Sequence, residues 1–79
     1  MDKPTVKIRD LGLAAALVSC GLEPPSTTRG TTGRVDFIFI QTDELERSVS
    51  TYWANTLEVK ARTYSENIKM LKSRIYSGQ

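Results

Sequence analysis

Apolar residues fall into four stretches of this chain, and their spacing differs from one stretch to the next. Leu11-Gly12-Leu13-Ala14-Ala15-Ala16-Leu17-Val18 is apolar throughout. Within it Leu11, Ala14, Ala15 and Val18 recur at i, i+3, i+4 and i+7, a helical core stripe, with Leu13 and Leu17 beside it. Asp10 stands where an N-cap belongs, and Gly21 where a left-handed residue closes a helix. A helix ending at Gly21 follows, its alanines small enough for close approach to a sheet. From Arg34 to Ile40 the period drops to two: Val35, Phe37 and Phe39 share one face, and Asp36, Ile38 and Ile40 the other. Both faces of this strand are apolar apart from Asp36, which predicts helix over at least one of them.

Leu22 to Thr28 reads as a second strand, confined by Pro24 and Pro25 to an edge or an irregular arm because proline cannot donate to a ladder. Arg29-Gly30-Thr31-Thr32-Gly33 between the two strands reads as a loose hairpin turn. Gly30 to Gly33 also spells the GXXG of KH domains, which clamp nucleic-acid backbone. There the motif joins two helices, whereas here it enters a strand, so a flexible hairpin tip is the better reading.

The last two stretches are helical. Thr42 or Asp43 caps the first of them, with a capping box available if Glu46 sits at N3. Leu45, Val49, Tyr52 and Trp53 at i, i+4, i+7 and i+8 make its core face. After a connector of residues 55–59, the final helix runs from about Lys60 to Tyr76, with Tyr64, Ile68, Leu71 and Ile75 turned to the core. At ~100° per residue, Arg62, Ser65, Lys69, Lys72 and Tyr76 gather on one flank of that stripe. The expected fold is therefore α+β, in the order helix, two-stranded β-hairpin, helix, helix, with the helices covering the hairpin. Residues 1–79 make a single domain, of which 1–9 form a flexible or extended N-terminal arm.

Seventy-nine residues leave no room for a second core. Composition narrows the chemistry further, since the chain has no His and a single Cys. Histidine general bases, Ser-His-Asp and Cys-His nucleophiles, multi-ligand zinc sites and internal disulfides are excluded. Neither a Ser-x-x-Lys pair nor a phosphate-loop pattern is present. Asp43, Glu44 and Glu46 resemble paired catalytic carboxylates, but a helix N-terminus explains their crowding better. No catalytic residue, cofactor or metal site is expected, nor an enzyme.

The net charge of +2 is uneven. Residues 35–57 carry one Arg against four acids, a net −3, while residues 58–79 carry five bases against two acids, a net +3. Arg62, Lys69, Lys72 and Tyr76 on the last helix are thus the candidate nucleic-acid-binding residues, with Tyr76 able to stack a base. A solvated helix face is the plainer reading of the same residues. Tyr52 and Trp53 read as core aromatics rather than an interface anchor, and Cys20 as a small apolar filler.

One alternative concerns the start of the chain. Lys3, Lys7 and Arg9 before the apolar run look like a short secretory signal, and Leu17-Val18-Ser19-Cys20 has the form of a lipoprotein cleavage box. Residues 23–33 would then be the tether. Asp10 against the run, together with the capping signals, favours the helix, so a cytoplasmic location is expected over a lipoprotein anchored at Cys20. The run is too short for a bilayer, which needs about 20 apolar residues.

Taken in order, Asp10-Leu11-Gly12-Leu13-Ala14-Ala15-Ala16-Leu17, Gly21-Leu22, Arg34-Val35-Asp36-Phe37-Ile38-Phe39, Thr42-Asp43-Glu44-Leu45, Tyr52-Trp53 and Leu71-Lys72-Ser73-Arg74-Ile75-Tyr76-Ser77 form one extended pattern. It resembles an uncharacterised family of small bacterial and phage proteins, a domain of unknown function, over residues 8–77. The resemblance implies an N-terminal helix, a hairpin ending Val-x-Phe-x-Phe and two C-terminal helices, and it carries over no functional residues. Two departures stand out: Lys60-Ala61 replaces an acidic-Pro pair opening the last helix, and Pro24-Pro25 interrupt a more regular strand. The expected role is a non-enzymatic binding or accessory module acting on an unknown protein partner, without membrane contact. A homodimer through an exposed strand edge is a further expectation, and weak nucleic-acid binding the alternative function.

Overall fold

Thr5-Val6-Lys7-Ile8 alternates polar and apolar residues, and this short segment is the first strand of the domain. In the computed structural model, which describes residues 4–30 and 33–77, the element order is β1 (Thr5–Ile8), α1 (Leu11–Ser19), β2 (Ser26–Arg29), β3 (Val35–Ile40), α2 (Asp43–Trp53) and α3 (Ala61–Tyr76). The sheet is antiparallel in the order β1-β3-β2. The expected two-stranded hairpin is thus corrected to three strands, while the α+β class and the three helices stand. β1 escapes a local reading because its partner lies across α1 and β2: Val6 is opposite Phe39 and Ile8 opposite Phe37. Lys7 within it and Arg9 just after it also resemble the charged start of a signal, which masks the alternation.

Register sorts the side chains between the two faces of the sheet. Ile8, Phe37 and Phe39 are buried and meet Leu13, Ala14, Ala15, Leu17, Leu45 and Leu71 in one core. On the opposite face Ile38 and Ile40 stay half-buried beside Lys7, Thr5 and Ser26, and neither joins the core or its fringe. The helices therefore cover a single face, a two-layer arrangement. On the uncovered face the Arg9 Nε lies 3.2 Å from the Asp36 Oδ1, an ion pair that falls outside hydrogen-bond geometry.

Helix α1 sits at the centre, packed on α3, α2 and β1. Asp10 caps it, its Oδ1 accepting from the Leu13 N–H at 3.1 Å, and Gly21 closes it with φ of 93°. The buried set is Leu13 to Leu17, while Leu11 and Val18 are only partly buried, so the core face is centred one step from the expected stripe. Packing on several sides makes this helix apolar all round, which blurs its period. Cleavage before Cys20 would remove both β1 and this central helix. Cys20 itself is exposed, a correction to its reading as a core filler; it lies at the C-cap, past the last packed turn.

Thr42, not Asp43, caps α2, accepting from the Leu45 N–H at 3.0 Å. Glu46 is then one position beyond N3, and no capping box forms. Helix α3 starts at Ala61 with Lys60 as an N-cap lacking a side-chain bond, in line with the departure at Lys60-Ala61. Its other end closes over β2: the Arg74 Nη1 donates to the Pro25 carbonyl at 2.8 Å, and the Arg29 Nη2 donates to the Ile75 carbonyl at 2.9 Å. The two sheet edges differ in consequence. β2 is guarded by prolines and by α3, whereas the Thr5 and Lys7 backbone groups on β1 point away from β3, because the Gln41 N–H bonds the Pro4 carbonyl and antiparallel pairs alternate.

Candidate functional site

Helical geometry places the expected nucleic-acid flank as the sequence predicts, on one exposed side of α3. Arg62, Lys69, Lys72 and Tyr76 are all exposed, Tyr76 by 80%. Their charge is thinner than their number. The Arg62 Nε lies 3.6 Å from the Glu66 Oε1, one helical turn on, which leaves Lys69 and Lys72 as the cations of this flank outside an ion pair with any described residue. Arg74, the remaining base of α3 after Arg62, is turned the other way to Pro25. Gly30 and Gly33 belong to the tip between β2 and β3, where the Gly30 N–H bonds the Arg34 carbonyl at 2.9 Å. Thr31 and Thr32, the centre of the GXXG, lie outside the described residues.

A second arrangement was not expected. Trp53 is 64% exposed, which corrects its assignment to the core. At ~100° per residue it lies about 80° around α2 from buried Leu45, against about 20° for Tyr52. That angle was the available signal: Trp53 sits on the rim of the stripe, not on its centre. Its ring meets that of Tyr52 edge to face, with centroids 5.1 Å apart and planes at 85°, the arrangement aromatic quadrupoles favour.

These two rings and Tyr64 of α3 line a cleft of about 430 Å3. Ala16 of α1 contributes to its wall, as do Asn55, Leu57 and Val59 of the connector. The sequence builds it simply. Helix α2 ends at Ala54, Asn55 takes a left-handed φ of 63°, and the connector turns back to α3. The Thr51 carbonyl accepts from the N–H groups of both Thr56 and Leu57, which fixes the turn. Leu57 and Val59 line the cleft while Glu58 and Lys60 between and after them are exposed, the alternation of an extended segment.

Below the rings, three polar groups converge on Gly12 of α1. The point a Cβ would occupy there lies 3.1 Å from both the Tyr52 and Tyr64 hydroxyls and 3.2 Å from the Asp10 Oδ1. Only glycine leaves those positions undisturbed. The Tyr64 hydroxyl donates to the Gly12 carbonyl at 3.3 Å. Burial, then the Asp10 carboxylate and then Tyr64 raise the Tyr52 pKa above its ordinary 10.0. Tyr52 is therefore a neutral hydroxyl at physiological pH, and its aromatic face is intact.

A further apolar groove of about 310 Å3 runs between β1 and α2, lined chiefly by Val6, Ile8, Leu45 and Val49, with Glu46 and Ser50 beside them. No group of three or more His, Cys, Asp or Glu able to hold a metal ion occurs among the described residues. No helix among them is long and apolar enough to cross a membrane.

The sequence itself matches a known family over nearly its whole length. A family model, a domain of unknown function (DUF5659), aligns with residues 3–77. The chain belongs to this family. No curated protein and no solved structure is detectably similar to it. Membership in DUF5659 takes in β1 as well as the central helix and both C-terminal helices. It assigns no activity to any of them, so the cleft is read on its own chemistry.

Proposed function

We propose that the protein is a non-enzymatic binding module of bacterial or phage setting, acting in the cytoplasm through protein contacts at the aromatic cleft. The observation that supports this most is the exposure of Trp53, 64%, on the rim of a cavity lined by Tyr52, Tyr64, Leu57 and Val59. A tryptophan left largely in water beside a hollow lined by aromatic and aliphatic side chains is the residue type that dominates interface energetics. The test is selection of peptides from a random display library on the folded domain. Selected peptides should lose at least about tenfold in affinity to Trp53→Ala, a hot-spot effect, and bind a Lys69→Ala/Lys72→Ala variant unchanged. Peptides that ignore the Trp53 substitution would overturn the reading.

A second copy of the chain is proposed as an additional partner, at β1. The free Thr5 and Lys7 groups favour that edge, and pairing Thr5 of one copy with Lys7 of the other exchanges their backbone bonds without setting two lysines opposite each other. The nucleic-acid alternative retains Lys69, Lys72 and Tyr76, with Arg62 shared with Glu66. So few phosphate contacts give weak, salt-sensitive binding. Titration of labelled DNA and RNA at low and moderate salt decides it, and absence of binding at low salt removes it.

A further inference from the structure

The geometry points to a soft cation as the occupant of the cleft: an alkylated ammonium or guanidinium head carried on a partner's side chain. This inference rests on the cleft being the binding site and adds the chemistry of what enters it. Three aromatic side chains, Tyr52, Trp53 and Tyr64, line one cavity, and the first two stand nearly perpendicular at 85°. Aromatic faces carry the negative lobe of the ring quadrupole, so a ring face turned to the cavity attracts a cation and repels an anion. The cavity, about 430 Å3, lies toward the small end of ligand pockets. It has room for such a head group together with the side-chain stem that carries it.

The fixed charges nearby have the same sense. No basic side chain is among the lining residues. Asp10 is close enough for its carboxylate to act on the Tyr52 hydroxyl. Helix α2 ends at the cleft through Trp53 and Asn55, and its last turn holds no basic residue. The negative end of its dipole is thus left without the cation that usually complements it. Lys60, the exposed residue before α3, is the nearest base along the connector and does not line the cavity. Arg62, the next, is held toward Glu66.

Trp53 is the only tryptophan of the chain, so its fluorescence reports on the cleft directly. The probes are N-acetyl-trimethyllysine amide, its uncharged tert-butyl isostere, N-acetylarginine amide and N-acetylglutamate amide. Both cations should change the emission saturably and bind about threefold to thirtyfold tighter than the uncharged isostere, the range that cation–π contacts supply. Asp10→Asn keeps a good N-cap for α1 while removing the charge. It should weaken both cations and leave the isostere unchanged, with the circular dichroism spectrum preserved. Equal binding of the isostere, tighter binding of the glutamate probe, or no saturation by either cation would overturn the inference. Failure of the broader reading looks different, because library-selected peptides would then bind Trp53→Ala as well as the parent.

Discussion

At the scale of single residues, Trp53 and Leu71 show how position on a helix decides between surface and core. Both are large apolar residues in helices packed around α1, yet Leu71 is fully buried and Trp53 is 64% exposed. Leu71→Ala should cost about 2–5 kcal/mol, transfer plus cavity, a large part of the roughly 4–12 kcal/mol expected for a chain this size. Trp53→Ala should cost less, about 0.5–1.5 kcal/mol, the worth of its edge-to-face contact with Tyr52. Denaturant unfolding of the two variants checks the contrast. Tyr52 offers a second test. Its folded pKa lies above 10.0, so the neutral hydroxyl supplies stability that is complete below pH 10 and lost as pH rises through the raised value. Absorbance titration of the parent minus Tyr52→Phe should show this, and Asp10→Asn should move the midpoint down. The core positions Phe37, Phe39, Leu45 and Leu71 were legible from periodicity. The exposure of Trp53 was not, because a residue at the margin of an apolar stripe goes in or out according to what packs beside it.

At the scale of elements, helix α1 was readable from its caps and β1 was not readable from its pattern. Capping is a local property: Asp10 bonds the Leu13 N–H and Gly21 turns left-handed, as their places in the sequence predict. Strand pairing is not local, and β1 finds β3 across two intervening elements. Four residues hold too little pattern to reveal such a partner. The same logic identifies the weakest helix end. Lys60 makes no capping bond to α3, and the first turn of α3 has no acidic residue. Lys60→Asp should therefore raise stability by about 1 kcal/mol, joining a side-chain cap to a favourable dipole term. A shift in denaturation midpoint without a change in slope is the expected signature. No shift would mean that the α3 N-terminus is satisfied in another way.

At the scale of the whole molecule, the layers divide the work. One face of the sheet builds the core with the helices, the β2 edge is closed by Pro25, Arg29 and Arg74, and β1 is left open. Self-pairing at β1 should be lost in Lys7→Pro, whose missing N–H points away from β3 and so removes no bond within the sheet. Sedimentation of the parent should show concentration-dependent association, and the variant should remain a monomer. Association that survives the substitution would move the interface elsewhere. The aromatic cleft lies between α1, the end of α2 and the start of α3, with only helix and connector residues in its lining. Its central role is tested most directly by mapping a library-selected peptide onto the 15N-labelled domain by NMR. The largest shifts should fall on Ala16, on Tyr52 to Val59, on Tyr64 and on the Trp53 indole. Shifts centred instead on Lys69, Lys72 and Tyr76, or on the β1 edge, would contradict the account.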